Sequence, residues 1–194
     1  SNNSEDTSKG YIYICGGKIN ITSTTDAIQA ETTLTIEKGE INLKTGGGSE
    51  NSSKASGGKD NPQWGKWGQE DSSTTEEDTA SAKGLKAGGD IKISNATITA
   101  DTSDDSIHSN SNVTIESGTL NLKSGNDSIH ADTSTVINNG NIVIEKSYEG
   151  IEGSNVTING GTIELTASDD GINSAGGSDS SSMGGRMGQD RKSV

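Results

Sequence analysis

The sequence predicts an all-β fold: a right-handed parallel β-helix of about 22 residues per rung, with three short strands in each rung. Three observations predict it. A short motif recurs as Asp104-Asp105-Ser106-Ile107-His108-Ser109, Asn126-Asp127-Ser128-Ile129-His130-Ala131, Tyr148-Glu149-Gly150-Ile151-Glu152-Gly153 and Asp169-Asp170-Gly171-Ile172-Asn173-Ser174. Its central aliphatic positions, 107, 129, 151 and 172, lie 22, 22 and 21 residues apart, a period that marks stacked supersecondary units. Between the motifs, pairs of short alternating segments such as Val113-Thr114-Ile115 and Leu120-Asn121-Leu122 recur in register. A left-handed helix with hexapeptide faces repeats at about 18 residues and a propeller blade at about 40–45, so neither period fits.

In chain order, residues 1–10 are polar and expected to fray. Tyr11–Cys15 alternates as a strand, Gly16-Gly17 turns, and Ile19-Asn20-Ile21 is a second strand. Adding 22 to Ile12, Ile14, Ile19 and Ile21 gives Leu34, Ile36, Ile41 and Leu43, so the first rung is present without its opening segment. The next is complete, from Asp26 through Ile28, Leu34-Thr35-Ile36 and Ile41-Asn42-Leu43. Register breaks at Thr45 and resumes near Gly84-Leu85, the 57-residue offset from Ile36 to Ile93 being one turn plus a 35-residue insertion. Three further turns follow. Thr135 occupies a position where Ile91, Val113 and Val156 predict an apolar side chain, which turns Val136 outward. Residues 1–174 therefore read as one β-helix domain with an inserted loop at 45–81, and 175–194 as a flexible Gly/Ser/Met tail. Stacks of repeats need caps, and the tail leaves the last rung incomplete.

Alternation sends Ile107 and Ser109, Val113 and Ile115, and Leu120 and Leu122 inward, and Thr114, Asn121 and His108 outward. One corner carries Gly39, Ala96, Gly118, Gly140 and Gly161, where positive φ is expected.

Composition narrows the partners. A net charge of −13 disfavours nucleic acid and anionic membranes, and favours a cation, a neutral polymer or a cation-bridged anionic one. No apolar run is long enough to span a bilayer. The sequence starts without Met or a signal peptide, as a mature or excised fragment does. Cys15 is the one cysteine, which excludes an intrachain disulfide and a cysteine zinc site; in its apolar segment it reads as inert packing.

Stacking aligns Ala82, Asp104, Asn126, Tyr148 and Asp169 in one column, and Asp26, Lys83, Asp105, Asp127, Glu149 and Asp170 in the next. Carboxylates one rung apart, about 4.8 Å, repel by roughly 1 kcal/mol in water and about 3 kcal/mol at a dielectric near 20. Two readings stay open: turn-favouring residues screened by solvent, or calcium bound by Asp104, Asp105, Asn126, Asp127, Glu149, Asp169 and Asp170. Lys83 interrupts the column, where its ammonium can replace a metal against Asp105. His108 and His130 lie one rung apart, and their column continues as Glu152 and Asn173, which supplies no set of metal ligands. A structural or surface role is therefore set against metal or ligand contact. In the insertion, Trp64 and Trp67 flank Lys66; the tryptophans either fold back on the helix wall or form a platform for sugar rings, with Lys66 available to a uronate.

The pattern D-[DG]-x-I-[HN]-[AS] followed by V-T-I-x-x-G-T-[IL]-x-[IL], carried by Asp104–Leu122 and Asp169–Ser174, resembles the bacterial carbohydrate-binding domain-containing family of parallel β-helices found among clostridial surface proteins. Looser copies occupy 26–43, 83–100, 126–144 and 148–165, and the Met-Gly-Gly-Arg-Met-Gly stretch at 183–188 is also similar. The resemblance implies a helix like that of polysaccharide lyases, calcium at the acidic corners, an extracellular or cell-surface location, and a polysaccharide partner: a plant cell-wall polymer such as cellulose, or an acidic pectic one. Tyr148-Glu149 and Ala82-Lys83 depart from the pattern, and the chain is shorter than a full member. Three functions follow for comparison: a non-catalytic binding module, a calcium-dependent pectate lyase-like enzyme, and a structural or adhesive surface protein. β-Elimination needs a base, and Lys83, or Lys86 beside it, is the available one; a carboxylate column raises a lysine pKa, which favours binding over catalysis.

Overall fold

The computed structural model describes residues 9–52 and 81–174. These form the expected parallel β-helix, with three faces. The first face stacks β3 (Ile28–Ala30), β6 (Leu85–Ala87), β9 (Ile107–Ser109), the start of β12 (Ile129–Ile137), the start of β14 (Ile151–Ile158) and β16 (Ile172–Asn173). The second stacks β1 (Ile12–Ile14), β4 (Leu34–Ile36), β7 (Ile91–Ile93), β10 (Asn112–Ile115) and the ends of β12 and β14. These two faces merge where β12 and β14 run around the corner, giving a 10-stranded sheet. The third is a 6-stranded sheet of β2 (Lys18–Ser23), β5 (Gly39–Thr45), β8 (Ala96–Thr102), β11 (Gly118–Ser124), β13 (Asn141–Lys146) and β15 (Thr162–Leu165).

Register follows the periodicity. Ile12 pairs with Leu34 and Ile19 with Ile41, each 22 residues on, while Ile36 pairs with Ile93 across the insertion. Alternation then fills the interior with columns such as Leu85, Ile107, Ile129 and Ile151, all fully buried. Thr135 is buried and Val136 half-exposed, because the Thr135 hydroxyl donates to the Glu152 carbonyl at 2.7 Å and so tolerates an aliphatic column. At the last rung Ile158 and Ile172 are 43% and 53% exposed, and no described residue covers them.

Two expectations change. Cys15 is exposed rather than packed: Ile12 and Ile14 point inward, so the same alternation turns Tyr13 and Cys15 out. At the glycine corner Gly39, Gly118, Gly140 and Gly161 have positive φ, but Ala96 does not. In that rung the left-handed residue is Asn95 at φ 46°, held by a reciprocal pair of bonds with the Ser117 hydroxyl, and Asn tolerates that region where Ala does not. At Gly118, φ is 126° and an added Cβ would lie 2.6 Å from the Ala96 carbonyl oxygen. Gly118→Ala is therefore expected to cost about 1–3 kcal/mol in a denaturation experiment.

The opening of the insertion is ordered against the stack. After β5 a 3-10 turn at Ser49–Asn51 follows; Ser49 N donates to Asp101 Oδ1 at 2.7 Å and Lys146 Nζ meets Glu50 at 2.8 Å. Trp64, Lys66 and Trp67, like the 175–194 tail, lie outside the described residues.

Candidate functional site at the acidic corner

Buried hydroxyls shape the corner that carries the acidic motif. Thr102 Oγ1 donates to the Asp104 carbonyl at 2.8 Å and lies 3.1 Å from Ser106 Oγ. One rung on, Ser124 Oγ donates to the Asn126 carbonyl at 3.1 Å and lies 2.7 Å from Ser128 Oγ. Each Ser or Thr satisfies the turn's carbonyl from inside, which leaves the acidic pair on the outside of the corner. Backbone bonds Gly84 N to Asp105 O, Ser106 N to Asp127 O, Ser128 N to Glu149 O and Gly150 N to Asp170 O confirm the column of 83, 105, 127, 149 and 170.

Within that column the charges are compensated unevenly. Asp26 accepts from Ser81 Oγ, Lys83 N and Lys86 Nζ at 2.7, 2.9 and 3.0 Å. Asp105, fully buried, accepts four bonds: Lys83 Nζ at 2.8 Å and His108 Nδ1 at 2.8 Å on Oδ2, and Asn126 Nδ2 at 2.7 Å and Asp127 N at 3.0 Å on Oδ1. A carboxylate offers about four lone-pair sites, so Asp105 is saturated and does not fit the role of calcium ligand. Burial opposes its ionisation, but the bond from His108 and the Lys83 charge outweigh that and hold its pKa well below the usual range. Lys83 Nζ also meets Asp104 Oδ2 at 2.8 Å. Burial would lower the Lys83 pKa, yet Asp105 and Asp104 hold it above the lysine range, and such an ammonium is no general base.

Higher in the stack the ammonium groups stop. No Lys or Arg among the described residues pairs with Asp127, Glu149, Asp169 or Asp170. Glu149 has its pKa raised by partial burial and by the charges of Asp127, Asp169 and Asp170; it accepts one bond, from Asn173 Nδ2 at 3.1 Å. The Tyr148 phenol is raised by its bond to Asp169. Glu149, with the exposed Asp169 and Asp170, is thus an oxygen-rich corner with no ammonium partner among the described residues, a donor set that fits a hard ion.

The two histidines depart most from expectation. They lie on the outer side of the sheet, as alternation requires, but are 8% and 1% exposed and present no ring face to a polymer. Their rings stack at 4.8 Å between centroids and 6° between planes. The expectation that nothing near them supplies metal ligands is overturned. His130 Nδ1 lies 2.7 Å from Glu152 Oε2 and 3.6 Å from Asp127 Oδ2, and Nε2 lies 3.1 Å from Asp132 Oδ1. Burial would lower the His130 pKa, but Asp127, Asp105, Asp132 and Glu152 raise it to about 10. Asp127 moves the other way for an acid, up to about 6, through its burial and the charges of Asp105 and Glu152. Asp132 and Glu152 were legible only by adding two residues or one rung to His130.

A second feature lies on the third face. A shallow cleft of about 240 Å³ is lined by Asn20, Thr22, Asn42, Lys44, Thr99 and Asp101, and Asn42 Nδ2 donates to Asn20 Oδ1 at 2.9 Å across one rung. Its signal in the sequence was the pair of outward Asn residues 22 apart.

Comparison with curated proteins finds no significant match, and neither does comparison with solved structures. A family model does match, at residues 1–128 and again at 112–189, the two stretches overlapping within the repeat. Matched along nearly its whole length, and folded as the stacked parallel rungs above, the chain belongs to the carbohydrate-binding domain-containing protein family.

Proposed function

We propose that the chain is a non-catalytic module that binds acidic, pectic-type polysaccharide outside the cell or on its surface, with calcium at the corner of Glu149, Asp169 and Asp170. The observation that carries this reading is the uneven compensation of the acidic column: lysines neutralise Asp26, Asp104 and Asp105, whereas the later carboxylates have no ammonium partner among the described residues. Calcium supplies the missing charge, takes hard oxygen ligands and accepts uronate oxygens in positions the protein leaves open. The cleft lined by Asn20, Asn42 and Lys44 offers amide and ammonium donors on a flat face, which suits sugar hydroxyls and carboxylates. Trp64, Lys66 and Trp67 of the insertion are residue types that suit the same ligand, rings for sugar faces and an ammonium for a uronate.

The test is retention on polygalacturonate with calcium and with chelator. The expected result is retention that chelator abolishes, that weakens at least about tenfold in a Glu149→Gln, Asp170→Asn variant, and that produces no unsaturated-product absorbance. Chelator is also expected to lower the melting temperature. Retention on neutral glucan alone, indifferent to chelator, would sink the acidic-ligand and calcium parts. A rising absorbance that disappears in a folded Lys83→Ala variant would replace the binding reading by the lyase one.

A further inference from the structure

We infer that Asp127, His130 and Glu152 form a second, buried metal site that takes a divalent transition ion of the zinc class, distinct in chemistry from the oxygen-only corner. Their ligand atoms all lie within 4.8 Å of one another, converging from the corner before β12, from β12 itself and from β14 one rung above. In a tetrahedral zinc site, bonds of about 2.0–2.1 Å place neighbouring ligand atoms about 3.3 Å apart. His130 Nδ1 to Asp127 Oδ2 is already 3.6 Å. Nδ1 to Glu152 Oε2, at 2.7 Å, need open by only about half an ångström once a metal replaces the shared proton.

An independent observation concerns the same carboxylate. Asp127 is 3% exposed, and its Oδ1 has no hydrogen-bond partner, the one such buried side-chain atom among the described residues. An orphaned buried carboxylate oxygen is costly and calls for a missing partner. Among the described residues no ammonium pairs with Asp127: Lys83 is committed to Asp104 and Asp105, and His108 Nδ1 is committed to Asp105. The far nitrogen of His130 meets Asp132 Oδ1 at 3.1 Å, the carboxylate–histidine arrangement that orients metal-binding imidazoles and strengthens their donor nitrogen.

Charge decides between a proton and a metal. Two carboxylates and a neutral imidazole carry two negative charges, which a divalent ion cancels; a proton on Nδ1 leaves one uncancelled in a buried place. The imidazole nitrogen and the small number of donors select against calcium, which takes six to eight oxygens, and for a borderline ion that accepts nitrogen and oxygen in low coordination. Loading displaces the Nδ1 proton to solvent, so protons are released as metal binds.

The experiment uses the full chain, stripped by chelator and titrated with Zn2+, with Co2+ as the spectroscopic probe. One equivalent of Zn2+ is expected to bind with proton release, and Co2+ to give the visible absorption of a low-coordinate nitrogen–oxygen site. Glu152→Gln, a half-buried isosteric change, is expected to weaken Zn2+ by more than tenfold, and Asp132→Asn by about 10–100-fold. An excess of Ca2+ is not expected to displace the Co2+ spectrum. Absence of stoichiometric binding, an octahedral Co2+ spectrum, or affinity unchanged in Glu152→Gln would each overturn the inference, leaving His130 as a proton-sharing structural group. The Co2+ spectrum needs no variant, so a folding defect in one does not blur the outcome. Polysaccharide retention is read in neither arm, so failure here is separable from failure of the binding function.

Discussion

Replacing Asp105 by alanine is expected to cost about 3–5 kcal/mol, because it leaves buried charge and donors without their acceptor. Asp105 is fully buried, and Lys83 Nζ, His108 Nδ1, Asn126 Nδ2 and Asp127 N all converge on its two oxygens. Lys83 would retain Asp104, a more exposed partner, while the bonds that Asn126 Nδ2 and the Asp127 N–H make to Asp105 Oδ1 would lose their acceptor. At about 2–4 °C per kcal/mol for a chain of this size, the melting temperature should fall by about 6–20 °C. A fall of under about 3 °C would mean that the network adds little beyond the aliphatic columns. The same group sets a pH dependence. Its folded pKa is depressed, so its stabilisation is present above the unfolded carboxylate value of about 3.9 and is lost as pH falls through the folded value. The stability gap between the natural chain and Asp105→Asn should therefore be full at pH 7 and shrink below about pH 4. A gap that stayed constant between pH 7 and pH 3 would contradict the depressed pKa.

Ile129→Ala is expected to cost about 2–5 kcal/mol. Ile129 is fully buried and stacks between Ile107 and Ile151, also fully buried, in consecutive rungs. The β-helix interior is narrow and its backbone is tied by parallel ladders above and below, so a cavity there has little room to collapse. Chemical denaturation should show a lower midpoint with an unchanged slope. Ile172→Ala is the contrast: it occupies the same column, but its 53% exposure at the last rung limits the expected loss to under about 1 kcal/mol. Equal losses at the two positions would remove the idea that stability is concentrated in the middle rungs.

Most of the architecture was readable from spacing because a solenoid turns period directly into contact. Once Ile107, Ile129 and Ile151 were 22 apart, stacking required them to pair, and the observed register does so. The 57-residue offset located the insertion's return in the same way, with Ile36 beside Ile93. Alternation was sufficient for Thr135 and Val136, and applied strictly it would also have placed Cys15 outside. Ala96 was harder: the sequence shows a small residue at a glycine position, but only the backbone reveals that Asn95 has taken over the left-handed conformation.

The acidic corner divides differently. Its columns of Asp, Asn, Glu and Lys were legible from the sequence, because column membership depends on residue count alone. Which carboxylate is saturated and which is bare was not, because that depends on side-chain reach within a few ångströms. Lys83 and His108 both turn to Asp105 Oδ2, and Asn126 reaches down one rung, so one aspartate has four donors while the next keeps an oxygen with none. Likewise, facing outward on a strand does not mean facing water: His108 and His130 are stacked on each other and bonded to carboxylates, Asp105 of the same rung for His108 and Glu152 of the next rung for His130. The sequence by itself determined the repeat, the faces and the columns, since these follow from the lengths of chain between aliphatic residues. Only the tertiary structure decided the charge partners, the burial of the histidines and the unpartnered oxygen of Asp127, since these arise from side chains of different rungs competing for the same few oxygens.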